Sequence, residues 1–176
     1  IQTSSGNWRS WIQLPPYYAD CLTPCSGSSI EEIFKVADPS LSGNATMFEL
    51  NTASPYADAL FSAQLIGQNA PQIPDTGHAL LPSIHNFTYD SYFYVTKDRI
   101  TQVLEFEISM YMNGVGMVWG TQCNYLGDGD WDIWDNVKNL WISAGVPCQF
   151  INGWNHVTLN LQRGSDNSLV YQSIAL

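Results

Sequence analysis

Seven short runs with strand signals follow one another from Phe87 onward: Phe87–Val95, Val103–Met112, Val115–Thr121, Trp131–Asn136, Leu140–Ser143, Trp154–Gln162 and Leu169–Ile174. Side chains of a strand point alternately to its two faces, so a period of two marks a strand with one face buried and one in water. The runs are separated by turn signals such as "KDR", "NG", "GDGD" and "RGSDN". None of these has room for the crossover helix that parallel strands need. The expected fold class is therefore all-β, an antiparallel sandwich or barrel. One earlier run, Thr46–Asn51, follows the turn-like "SLSGN". Residues 1–30 read as an irregular N-terminal arm, since "LPPYYADCLTPCSGSS" is dense in Pro, Ser and Gly, and a polar loop is expected from Gly67 to Ser83. Helical patterns are confined to Ser29–Val36 and Tyr56–Leu65. The length of 176 residues suits a single domain, 1–176.

Two strands show their faces in the sequence. In "VLEFEISMYM", Leu104, Phe106, Ile108, Met110 and Met112 are apolar and face a core, which turns Glu105, Glu107, Ser109 and Tyr111 outward. In "WNHVTLNLQ", Val157, Leu159 and Leu161 face inward and Trp154, His156, Thr158, Asn160 and Gln162 face out. An outer surface of Glu, Tyr, Trp, His, Asn and Gln differs from the Lys/Glu/Thr surface of an ordinary strand. Rings interleaved with planar hydrogen-bonding groups are what a sugar needs.

Charge narrows the partners. Six basic and sixteen acidic residues give a net charge of −10, which repels nucleic-acid backbones and anionic lipid. No run of about 18 apolar residues is present to insert into a membrane. Few charges beside seven Trp and nine Tyr suggest an extracellular β protein. The start at Ile1, with neither an initiator Met nor a signal peptide, fits a processed secreted chain. Four cysteines read as two disulfides, with Cys21–Cys25 and Cys123–Cys148 the favoured pairing of three. A Cys123–Cys148 link closes a loop around the "GDGD" turn, worth about 3 kcal/mol on the chain-entropy model.

The segment from "HNFTYDSYFYVT" through "VLEFEISMY", "VWGTQCN", "DWDIWDN" and "WNHVTLNLQR" to "LVYQSIAL" resembles a secreted domain of soil-bacterial extracellular proteins that is itself similar to concanavalin A-like lectins and glucanases. The resemblance covers residues 85–176 and the first part of the chain only loosely. It implies a jelly-roll sandwich and brings no established activity. Such domains continue past the part matching "SIAL" with further strands, so a chain stopping at Leu176 is either trimmed or leaves a sheet edge uncovered.

Glu105 and Glu107, at i and i+2, lie on one strand face with Cα atoms about 6.6–7 Å apart. A glycosidase pairs carboxyls about 5–5.5 Å apart when retaining and about 6.5–9.5 Å apart when inverting, so the pair is the candidate for catalysis. The glucanases of the resembling fold carry Glu-x-Asp-x-x-Glu; "EFEISM" places Met110 where the last acid belongs. The lyases of that fold gather Arg, Gln, His and Tyr on one sheet face; His156, Gln162 and Tyr111 fit, and no Arg joins them on the polar face. Asp132 and Asp135 are the reserve acids.

"GDGDWDIWDN" alternates Asp128, Asp130 and Asp132 like the start of an EF-hand loop. Position six is Ile133 rather than Gly and position twelve Asn139 rather than Glu, which rules the EF-hand out. A β-sandwich calcium site from Asp128, Asp130, Asp132 and backbone carbonyls stays open beside the plainer reading, a Gly-Asp turn leading into a strand. Within that strand Trp131 and Ile133 are expected inside, with Trp134 partly exposed and Asp132 beside it as ligand contacts. Asn44-Ala-Thr46 and Asn86-Phe-Thr88 match the N-glycosylation pattern.

Three functions are in play. The first is a secreted, non-catalytic carbohydrate-binding protein using Glu105, Glu107, Tyr111, Trp134, Asp132, Trp154, His156 and Asn160, with no cofactor beyond calcium. The second is a self-assembling fibre subunit whose partner is a copy of itself, joined through strand edges or an exchanged arm. The third is a polysaccharide-degrading enzyme built on Glu105 and Glu107. Nucleic acid and membrane insertion are excluded as partners in each.

Overall fold

The computed structural model describes residues 29–51, 64–67, 70, 73–96 and 103–176. The chain divides into two compact units, Ile1–His78 and Ala79–Leu176. In the first unit, β1 (Ser29–Val36) and β2 (Ala45–Asn51) form an antiparallel pair from Ser29↔Asn51 to Val36↔Ala45. The helix expected over Ser29–Val36 is thus a strand. Ile30, Ile33 and Val36 are spaced like a helical stripe, yet with Phe34 they are the β-branched and aromatic types that a strand accommodates best. The Tyr56–Leu65 helix and the Cys21–Cys25 disulfide fall on positions that, apart from residues 64 and 65, lie outside the described residues. The expected Gly67–Ser83 loop contains two-residue strands β3 (Ile66–Gly67) and β4 (Ile73–Pro74), paired parallel, and a single turn of helix, α1 (Leu80–Ser83).

The second unit is the sandwich-like body. Its strands are β5 (Asn86–Val95), β6 (Leu104–Met112), β7 (Val115–Cys123), β8 (Asp130–Asp135), β9 (Leu140–Pro147), β10 (Gly153–Arg163) and β11 (Leu169–Ala175). Each of the seven runs read from the sequence lies on one of them, within a few residues at its ends. They form two antiparallel sheets, one ordered β11-β10-β5 and the other the meander β6-β7-β8-β9. The chain crosses between sheets after β5 and returns after β9.

The sheets meet through a core of Phe106, Met110, Met117, Trp119, Trp131, Phe150, Val157, Leu159 and Leu161, all buried. Phe93 of β5 binds the two layers, its ring 5.0 Å from Phe106 and 5.1 Å from Phe150, while Phe87 lies 5.0 Å from Trp119. The core sides expected for β6 and β10 are observed, and Trp131 is inside with 1% of its surface exposed.

Cys123 and Cys148 are bonded, as their position around the turn suggested. The bridge joins the end of β7 to the segment following β9, and Cys148 N–H donates to Gly129 O across the turn at 2.8 Å. Arg163 is buried at the end of β10. Its guanidinium donates to Pro82 O, Ile84 O and Asn167 Oδ1, fastening the entry to β5.

Candidate functional site

The outer face of the β6-β7-β8-β9 sheet is set by one turn. Asn113 and Gly114 both have positive φ (53° and 78°), the type I′ geometry whose twist matches a hairpin. From it the register runs outward: Tyr111 lies opposite Gly116, Glu107 opposite Gly120, and Glu105 opposite Gln122. Beyond β7, Gln122 faces Asp132, Asp132 faces Ser143, and Trp134 faces Trp141. One rung across all four strands is therefore Glu105, Gln122, Asp132 and Ser143, and the neighbouring row brings Glu107, Gly120, Trp134 and Trp141 together.

The glycines give room for the rings. A Cβ on Gly116 would stand 3.0 Å from the Tyr111 ring; one on Gly120 would stand 2.9 Å from Trp141 and 3.1 Å from the Trp134 Cβ. Tyr111 thus rests over bare backbone while 71% of its surface remains in solvent. Trp134 and Trp141 are half-buried and meet edge to face, centroids 5.3 Å apart. Polar groups stand beside the rings. Gln122 Nε2 donates to Asp132 Oδ2 at 2.7 Å, Ser143 Oγ to Asp130 Oδ2 at 3.1 Å, and Ser109 Oγ to Glu107. Although Asp132 lies on this outward side it is only 5% exposed.

Below Thr121 and Ile133 the strands β7 and β8 part, and side chains bridge the gap. Asn136 imitates a ladder residue, accepting from Val118 N–H at 3.1 Å and donating to Val118 O at 2.7 Å. Tyr171 of β11 reaches across from the other sheet with its hydroxyl 3.0 Å from Gly120 O and 3.2 Å from Trp134 O. Burial pushes its phenol up to about 12. The two tryptophans therefore sit on a floor fixed from beneath.

The outer face of the β11-β10-β5 sheet carries the other half of the expected set. Trp154 pairs with Tyr94 (ring centroids 5.5 Å apart, edge to face), and His156 stacks on Tyr92 (4.0 Å apart, planes 4° from parallel). Asp90 accepts hydrogen bonds from His156 Nε2 at 2.9 Å and Thr158 Oγ1 at 3.0 Å, which hold its carboxyl below the usual carboxylate range. Thr88 donates to Asn160, Asn160 to Ser173, Gln172 to Gln162 and Gln162 to Asn86.

The single Glu/Tyr/Trp/His face assembled from sequence is thus two faces on opposite sides of the core. Glu105, Glu107, Tyr111, Asp132 and Trp134 share one; Trp154, His156 and Asn160 share the other. Alternation separates inside from outside but does not say which sheet a strand joins. The three turn aspartates each have a different hydrogen-bond partner. Asp128 accepts from Asp130 N–H, Asp130 from Ser143 and Asp132 from Gln122, and among the described residues no three His, Cys, Asp or Glu side chains form a group able to hold a metal ion. Asp135, a reserve acid, caps the following turn; the backbone N–H groups of Lys138 and Val137 hold its carboxyl low. Met110 is buried, so the position where the glucanase motif needs its last acid points into the core. Asn44 and Asn86 are both exposed.

Gln122, Trp141, Ser143 and the glycines Gly116 and Gly120 escaped the sequence reading. The signal was available for β7: counting outward from Asn113-Gly114 places Gly116 under Tyr111 and Gln122 beside Glu105. Comparison with protein-family models, with curated proteins and with solved structures finds no match for this chain, so its function has to be argued from these two faces.

Proposed function

We propose that this is a secreted, non-catalytic carbohydrate-binding protein, a jelly-roll sandwich of the concanavalin A-like kind, which takes glycan on the outer face of the β6-β7-β8-β9 sheet. The observation that carries the reading is the seating of Tyr111 over Gly116 beside the Trp134–Trp141 pair over Gly120. A ring laid on bare backbone turns toward solvent a surface on which the C–H face of a pyranose stacks. Glu107, Glu105 and Ser143 border the rings on the same face, and carboxylates accept hydrogen bonds from sugar hydroxyls. An acidic rim in a chain of net charge −10 favours neutral sugars over uronic acids. The Cys123–Cys148 bridge fits an oxidising, extracellular setting.

Binding is favoured over hydrolysis on geometry. Glu105 and Glu107 project from one strand face rather than from two sides of a cleft, Glu107 is already bonded to Ser109, and Asp135 is used as a turn cap. The test is a glycan array followed by calorimetry on the best ligand. Tyr111→Ala is expected to weaken binding by about 1–3 kcal/mol while leaving the fold intact. An array without a single neutral glycan bound removes the proposal.

A further inference from the structure

We propose that the outer face of the β11-β10-β5 sheet is a second, independent glycan platform, for a neutral and extended polysaccharide chain lying along the strands. Each molecule would then bridge two glycan chains. The site stands on its own geometry; the bridging rests also on the first face binding sugar as proposed above.

Register places five outward pairs in line down β10 and β5: Trp154 with Tyr94, His156 with Tyr92, Thr158 with Asp90, Asn160 with Thr88, and Gln162 with Asn86. At about 3.4 Å per residue the strip from Trp154 to Gln162 runs roughly 27 Å, a length that suits several sugar units rather than one. One end is aromatic. Tyr92 and Tyr94 pack against His156 and Trp154 across the strands, yet 56% and 44% of their surfaces stay exposed, which leaves open ring surface facing solvent. The remainder is an amide and hydroxyl ladder.

That ladder is pre-organised. Gln162 donates to Asn86 and accepts from Gln172, and Asn160 accepts from Thr88 and donates to Ser173. An amide offers two donors and two lone pairs, so these bonds fix the rotamers and leave one donor and one acceptor site on Gln162 and on Asn160 for a ligand. Little side-chain entropy remains to be lost on binding.

Charge selects the class of ligand. Among the outward residues of β5 and β10 the charged group is Asp90, already matched by His156, and no Lys, Arg or Glu joins them. A cation finds its carboxylate occupied, and an anion is repelled by the chain's net charge of −10. A neutral polyhydroxylated chain meets rings for its C–H faces and amides for its hydroxyls. The other outer face, with Glu105, Glu107 and Asp132, has a different chemistry, so the two platforms need not select the same glycan.

The test uses affinity electrophoresis of the full chain through hydroxyethylcellulose, xylan and glucomannan, with turbidity of the same mixtures as the readout of bridging. Four proteins are compared: wild type, Tyr94→Ala/Trp154→Ala, Gln162→Ala and Tyr111→Ala, each checked for its fold by circular dichroism. Wild type should be retarded and should produce turbidity. Tyr94→Ala/Trp154→Ala should lose about tenfold or more in affinity for at least one of the polymers and abolish turbidity. Gln162→Ala, which removes only an amide, should show a smaller loss in the same polymer and serves as the arbiter if the double variant does not fold. Unchanged retardation and turbidity in both variants overturn the second platform. So does wild type that self-associates without polysaccharide and loses this on Tyr94→Ala/Trp154→Ala, since the face then joins copies of the chain. If Tyr111→Ala alone is without effect while the other two variants lose binding, the first face is wrong and the second stands. No retardation of wild type by any polymer overturns both.

Discussion

Gly116 and Gly120 lie four residues apart on β7, each beneath a ring, and they make different predictions. An alanine at Gly120 meets Trp141 at 2.9 Å and the Trp134 Cβ at 3.1 Å; a Cβ is fixed by its backbone, and the Trp141 ring is packed edge to face on Trp134. The expected cost of Gly120→Ala is about 1–3 kcal/mol in urea unfolding, the scale of overpacking. An alanine at Gly116 meets only Tyr111, which is exposed and can swing away. Gly116→Ala should leave stability within about 0.5 kcal/mol, the usual range for a surface change, and weaken glycan binding. Equal stability losses from the two would show that the rings are not seated this way. On the opposite face, His156 and Thr158 hold the Asp90 carboxyl below its ordinary value of 3.8. The folded-state value is depressed, so the stabilisation is present above the unfolded value and is lost as pH falls through the folded one. A carboxyl NMR titration should place the Asp90 midpoint below 3.8 and move it upward in His156→Ala. Glu105→Gln and Glu107→Gln should leave the protein as inactive on β-glucan, xylan and alginate as wild type; release of reducing ends that vanishes in either variant would restore the enzyme reading.

Among the elements, Tyr171 matters out of proportion to its position on an edge strand. Its hydroxyl reaches two carbonyls where β7 and β8 separate, so Tyr171→Phe leaves both without it, at a cost of about 1–3 kcal/mol. Its phenol value is raised by burial from 10.0 to about 12, hence the stability it lends is intact below pH 10.0 and drains away as pH rises toward 12. Alkaline unfolding should therefore be gentler in Tyr171→Phe than in wild type across that interval. The strands were legible because alternation survives wherever one face is buried: Val157, Leu159 and Leu161 gave β10, and Phe106 and Met110 gave β6. The assignment of β1 failed for a local reason, since Ile30, Ile33 and Val36 have helical spacing but residue types that suit a strand, and only pairing with β2 decides between them. Sheet membership was not legible at all. Nothing in Trp154 or His156 states that β10 lies beside β5, across the core from Glu105.

At the largest scale, the two outward faces of the sandwich-like unit, one acidic around tryptophans and one neutral around amides, are what distinguish it from a plain scaffold. Their residue types were visible in the sequence; their grouping was not, because it depends on the crossings after β5 and β9. Gln122 and Asp132 illustrate the gap. Both look like surface residues by alternation, yet their pairing and burial arise only when β7 and β8 are brought together. Glycan binding on the outer face of the β6-β7-β8-β9 sheet is tested by backbone amide chemical-shift mapping during titration with the best oligosaccharide from the array. Shifts should concentrate from Ser109 to Gly120 and from Trp134 to Ser143, and should be reduced in Tyr111→Ala. Shifts that avoid both segments while binding saturates would contradict binding on this face.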